Sequence, residues 1–195
     1  MRSTVYLEIM TKKQKRWLVA GLVLLALLLD QASKLYIKTH FQLGESREVF
    51  SWFWIVFVEN NGMAFGIEWF SKLLLTLFRI VAVGVIGWYI HLMISKQEVR
   101  TGYLTTIAMV MAGALGNIID CVFYGKIWGY AGWFHGKVVD MLYFPLIRNA
   151  AGECLFFRPV FNIADSFITV AVVLVLIFYR KDLDNSLNQI FPKKA

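Results

Sequence analysis

Apolar residues crowd into four stretches of the chain, with polar residues gathered between them. The stretches cover about 17–37, 73–94, 103–124 and 161–179. Each holds about 20 residues, so each would be about 30 Å long as a helix, the thickness of a bilayer core. In lipid, a helix pairs its backbone groups within the segment, so four transmembrane helices are predicted. Two longer connections remain, 38–72 and 125–160. Residues 49–58, VFSWFWIVFV, are β-branched and aromatic with weak alternation, which predicts a strand. Residues 67–72, IEWFSK, suit a short amphipathic helix at an interface. The aromatics here also suit an interfacial belt. The 125–160 connection holds several glycines and no repeat. The fold class is therefore an all-α polytopic membrane protein of four helices, with a small β-rich extracytoplasmic loop region. Residues 1–195 read as a single membrane-embedded domain.

Composition supports this picture. Hydrophobic residues make up 58% of the 195, against roughly 45–50% in ordinary globular chains. Charged residues make up 17%, against about 25%. Too few charges remain to cover a water-facing surface, and the opposite balance would be needed for disorder. Two cysteines, Cys121 and Cys154, are too few for a disulfide scaffold, though a bridge between them is an open alternative.

The net charge of +7 would suggest nucleic acid in a soluble protein. Here the bases flank the apolar stretches: Lys12, Lys13, Lys15 and Arg16 before the first, Arg180 and Lys181 after the last. The positive-inside rule explains them without a nucleic-acid partner. It places both termini and the 95–102 link in the cytoplasm, and both longer connections outside. A cleaved signal peptide fits the first stretch poorly, because Asp30 interrupts it and no A-x-A site follows.

Ionisable groups inside membrane helices are costly, so each is a functional candidate. Asp30 and Lys34 fall in the outward third of the first span. Asn117 and Asp120 lie near the outward end of the third, and Asn162 and Asp165 near the outward start of the fourth. Asp140 lies in the second outer connection. Helices of opposite sense thus place polar groups at one depth, which points to one site near the outer face. Asp30 and Lys34 are i and i+4, within ion-pair reach. Ala112, Gly113 and Gly116 would let a neighbouring helix approach closely. Arg79 and His91 read as side chains that snorkel to the interfaces.

DQASK at 30–34, NNGMAFG at 60–66, GALGNIID at 113–120, VVDML at 138–142 and FNIADSFI at 161–168 stand in this order. Together they resemble the five motifs of the bacterial lipoprotein signal peptidases, or signal peptidase II. The resemblance implies a four-helix aspartyl endopeptidase of the inner membrane. It would cut prolipoproteins just before a cysteine that carries a diacylglyceryl group. By the same resemblance, Asp140 and Asp165 are the catalytic pair. Asn60, Gly62, Asn117 and Asn162 are substrate-side residues, and Asp30, Lys34 and Asp120 support the site. The chain would be a single peptidase domain whose lipid-modified substrate enters laterally from the bilayer, with 38–72 cradling it. A monomer suffices, with prolipoprotein and membrane lipids as partners and no cofactor. Two departures stand out. Cys121 occupies a position where the family usually has arginine, and a long stretch, GKIWGYAGWFHG, separates Asp120 from Asp140.

The chemistry of such a pair is general. Two close carboxylates cannot both ionise cheaply, so they hold one proton between them. The charged member can activate water and the neutral member can protonate the leaving nitrogen. Asparagines nearby can bind the substrate backbone or a developing oxyanion. Taken alone, Asp165 would read as a first-turn helix acid. His40, His91 and His135 are too scattered to suggest a metal. A Ser33–Lys34 pair or a Cys121 nucleophile are weaker alternatives. The competing function is a small proton- or ion-coupled transporter, which would also need intramembrane Asp and Lys, but near the midplane. A membrane scaffold would explain the aromatic loop but not the paired Asp and Asn residues.

Overall fold

The computed structural model of the chain describes residues 10–61, 72–96, 99–149, 154–156 and 159–190. Four helices are long and apolar enough to cross a membrane: Lys12–His40, Lys72–Ser95, Thr101–Ile127 and Ile163–Ile190. All four predicted spans are present; the first three extend beyond both ends of their apolar stretches, and the fourth starts at Ile163 and runs on past 179. The first, α1 (Lys12–His40), starts five residues before Trp17 at a capping box. There Thr11 Oγ1 accepts from the Gln14 backbone, and Gln14 Oε1 accepts from the Thr11 backbone at 2.8 Å. The second is α2 (Lys72–Lys96). The third runs from α3 (Thr101–Ile119) through a π turn, Asp120–Tyr124, into a last short turn, α4 (Gly125–Ile127). The fourth is α5 (Ile163–Leu174), a second π turn at Val175–Tyr179, and α6 (Arg180–Ile190).

Small residues bring α3 against α5. A Cβ on Gly113 would lie 2.3 Å from the Ala164 carbonyl oxygen, and one on Gly116 would lie 3.1 Å from Ala164 Cβ and 2.6 Å from Asp30 Oδ2 on α1. Only glycine permits backbones that close. An apolar cluster of Val19, Ile90, Met93, Tyr103, Leu104 and Ala108 joins α1, α2 and α3. Outward-facing side chains stay apolar, among them Leu25 at 60% exposure, Phe78 at 68% and Ile177 at 66%. That surface suits lipid and not water.

A four-stranded antiparallel sheet covers one end of the helices, in the order β1-β2-β3-β6. Its strands are β1 (Ser46–Phe50), β2 (Phe53–Asn60), β3 (Val138–Tyr143) and β6 (Val160–Phe161). The single strand expected over 49–58 is instead a hairpin that turns at Ser51 and Trp52. No glycine or asparagine marks this turn. Aromatic stacking holds it: Trp52 stacks on Phe50 at 5.4 Å and on Phe144 at 6.1 Å. A smaller pair, β4 (Ile147–Arg148) and β5 (Cys154–Phe156), completes the strands. The second connection therefore contributes strands from residue 138 onward, after a stretch of turns. Beneath the main sheet, Ile37, Phe57, Tyr124, Val139 and Met141 form a second apolar cluster that seats it on α1 and α3. The short helix expected over 67–72 falls outside the described residues except at Lys72, which opens α2.

Candidate active site

The site builds up from one buried cation. Lys34 is fully buried, and its three ammonium protons meet three acceptors. Asp30 Oδ2 and Asp120 Oδ2 each lie 2.9 Å away, and Asn117 Oδ1 lies 3.1 Å away. The expected i, i+4 pair therefore exists, and it is one arm of a triad that ties α1 to α3. Such a cluster is tolerable in a dry interior only because the charges are paired and hydrogen-bonded. The two carboxylates also reach outward. Asp30 Oδ1 accepts the Ala164 backbone N–H at 3.0 Å, which fixes the start of α5. Asp120 Oδ2 accepts the Val139 backbone N–H at 3.2 Å, which fixes β3. Gln31 donates to Asp30, Asp120 and the Gly116 carbonyl.

The orientation of each asparagine follows from its neighbours. Lys34 can only donate, so Asn117 must turn its oxygen towards it. That sends Asn117 Nδ2 to Asp165 Oδ1, at 2.7 Å. Asn162 caps α5: its Oδ1 accepts the Asp165 backbone N–H at 2.9 Å. Its Nδ2 is then free to bridge, donating to Asp140 Oδ1 at 2.7 Å and to Asn117 Oδ1 at 3.1 Å. Asn60 donates to Asp140 Oδ2 at 3.1 Å from the end of β2. Asp165 is thus the first-turn helix acid that its position suggests, and it also faces a second asparagine. The two roles coincide on one residue.

The two aspartates differ in setting. Asp140 is 2% exposed, while Asp165 is partly open. Burial, and then the charge of Asp165, push the Asp140 carboxyl up to about 7. Its two amide donors, Asn60 and Asn162, only partly offset this. Asp140 can therefore hold a proton near neutrality.

The structure thus brings together Asn60, Asn117, Asp140, Asn162 and Asp165, with Asp30, Lys34 and Asp120 behind them. Gly62 lies outside the described residues. Ser33 donates its hydroxyl to the Asp30 carbonyl at 2.7 Å, and Lys34 is committed to its triad, so the two do not form a Ser-Lys pair. No disulfide joins Cys121 and Cys154. Sequence reasoning missed the role of Arg79. It reaches from α2 towards α3, and its Nη1 donates to Cys121 Sγ at 3.2 Å. The one signal was a cation in the outer part of a span, with a polarisable sulfur on the neighbouring one.

Comparison with known proteins decides the family. The model of the family described as signal peptidase (SPase) II matches residues 22–180. The chain belongs to the signal peptidase II family. It is 44% identical over 187 residues to the lipoprotein signal peptidase of Porphyromonas gingivalis, covering 84% of this chain and 83% of that one. It is 35% identical over 194 residues to the lipoprotein signal peptidase of Amoebophilus asiaticus, covering 89% and 81%. Among solved structures, a bacterial membrane enzyme obtained by the in meso method superposes with a TM-score of 0.66 at 28% identity. That match covers 92% of this chain and 94% of the other. As a signal peptidase II, the chain is an aspartic-type membrane peptidase, and its aspartates carry the functional question.

Proposed function

We propose that this peptidase removes signal peptides from diacylglyceryl-modified prolipoproteins, cutting before the lipidated cysteine, with Asp140 and Asp165 as the catalytic pair. The observation that carries the reading is Asn162. It donates to one aspartate and caps the helix whose first turn holds the other, so the two acids are held to one side chain. One proton shared between them supplies both functions that amide hydrolysis needs. The charged member takes a proton from water as it attacks the scissile carbonyl. The neutral member protonates the carbonyl oxygen, and the proton that the other member took from water then passes to the leaving nitrogen. The apparent titration belongs to the pair. Asn60 and Asn117 keep the carboxyls turned to the substrate, and their amides can also meet its backbone.

The site lies where the helices end and the sheet begins. With the basic flanks inside, that end is the outer face of the bacterial inner membrane, and both termini are cytoplasmic. Substrate enters sideways from the bilayer, its acyl chains among apolar helix faces, and a single copy of the chain suffices. An ion-coupled transporter finds no support in the placement, because the charged groups gather at one end of the bundle.

The test is cleavage by purified protein of one prolipoprotein, with and without its diacylglyceryl group. Mass spectrometry of the products should show a single cut that leaves the lipidated cysteine at the new N-terminus. Equal cleavage of the unlipidated form, or a cut elsewhere, would refute the assignment.

A further inference from the structure

Lys38 lies one helical turn beyond Lys34, yet it belongs to none of the motifs and touches neither aspartate. Its side chain is 7% exposed. A buried ammonium is costly unless it is compensated. Here one carboxylate and four rings surround it. Glu59 Oε1 lies 2.5 Å away. The ring centroids of Trp128, Tyr130, Phe57 and Tyr124 lie 5.0, 5.4, 5.5 and 6.0 Å away, all within cation–π range. The rings come from β2, from the π turn that ends α3, and from the unusual Gly- and Trp-rich stretch after it.

The cage continues into the next strand. Lys137 Nζ approaches Glu59 Oε2 at 3.3 Å and the Tyr130 ring at 5.6 Å. The Lys137 backbone N–H donates to Tyr130 Oη at 2.7 Å. Burial pushes the Glu59 carboxyl up, but Lys38 and then Lys137 outweigh it and hold it below the usual range. The loop is also folded on itself: Tyr130 and Ala131 both donate to the Gly125 carbonyl, and Gly136 donates to that of Cys121. Three residues after Lys137 comes Asp140.

Register sets what this clamp controls. Glu59 pairs with Val139, and Val58 with Asp140. Side chains alternate along a strand, so Phe57 and Glu59 face the cage while Val58 and Asn60 face the other way. Asn60, with Asn162, donates to Asp140. We propose that Lys38 is a positioning residue for cleavage: its caged ammonium locks the 125–137 loop behind β2 and β3, and so sets where Asn60 and Asp140 meet the substrate.

The proposal rests on the peptidase reading above, so the experiment scores the two separately. Wild-type protein must first cut a diacylglyceryl-modified prolipoprotein in detergent, and Asp140→Asn must not. Lys38→Met is then compared with Lys38→Arg, with the folded fraction measured on each sample. The expected result for Lys38→Met is a KM raised by about tenfold, since small displacements of a binding group are costly. Lys38→Arg, which can still pair with Glu59 and stack on the rings, should return KM to within about threefold of wild type. An unchanged KM in Lys38→Met, with kcat falling only as the folded fraction falls, would overturn the proposal. If Lys38→Met does not fold, the double variant Trp128→Leu, Tyr130→Leu keeps the ion pair and opens the cage. Its KM should rise too, and a wild-type KM there would also overturn it.

Discussion

Asn162 and Asp140 stand 22 residues apart in the chain and share a 2.7 Å hydrogen bond. The same asparagine caps α5 through its oxygen. These two duties can be separated by substitution. Serine also caps helices, but its short hydroxyl cannot bridge to Asp140. Asn162→Ala should lose about 1 kcal/mol of stability together with activity. Asn162→Ser should recover the melting temperature while cleavage stays reduced by about a hundredfold. Thermal melts and initial rates on the same preparations check this.

The buried triad of Lys34 makes a different prediction. Lys34→Met leaves the Asp30 and Asp120 carboxylates facing each other in a dry interior. Breaking such a cluster costs about 3–5 kcal/mol. The start of α5 and the strand β3 should loosen together, since one carboxylate holds each. Hydrogen exchange should show lost protection at both Ala164 and Val139. Loss at neither would mean that the triad does not hold the site.

Close packing of α3 on α5 can be tested with a single methyl group. In Gly113→Ala, the new Cβ meets a backbone carbonyl at 2.3 Å, which cannot swing aside. A loss of about 1–3 kcal/mol is expected, with cleavage impaired as Asn117 and Asp165 move apart. Gly84→Ala is the control, because a Cβ there meets nothing within 4 Å. It should be neutral, or more stable by about 0.5–1 kcal/mol.

The raised Asp140 carboxyl links stability to pH. Its folded value, about 7, exceeds the ordinary 3.8, so the folded state binds more protons between those values. This contribution is fully present below about pH 4 and is lost as pH rises through 7. Wild type should therefore lose melting temperature across pH 4–7 relative to Asp140→Asn, which has no such proton to release. Parallel melting curves for the two proteins would show that Asp140 titrates normally.

Much of this architecture was legible in the sequence, for a physical reason. Spans are set by apolar length, and Asp30, Lys34, Asn117, Asp120, Asn162 and Asp165 stood out because polar groups in lipid are costly. Their convergence followed from matching depths on helices of opposite sense. What could not be read depended on contacts between distant segments. The hairpin at Ser51 and Trp52 lacks a turn glycine or asparagine and relies on Phe144, almost a hundred positions later. The strands after residue 137 have no strong alternation and are recruited by Asp120 and β2. Arg79 read as a snorkelling cation because its partner, the Cys121 thiol, lies on another helix. Lys38 carried no signal, since its rings and its carboxylate come from three separate places in the chain.

The most direct test of the account is the rate of prolipoprotein cleavage by Asp140→Asn and Asp165→Asn, each shown to be folded in detergent. Asparagine keeps the shape and most hydrogen bonds of aspartate but can neither accept nor deliver the catalytic proton. Both variants should lose cleavage of the diacylglyceryl-modified substrate by about four orders of magnitude or more, as proton-transfer partners acting as a unit do. Near-normal cleavage by either one would contradict the shared-proton mechanism.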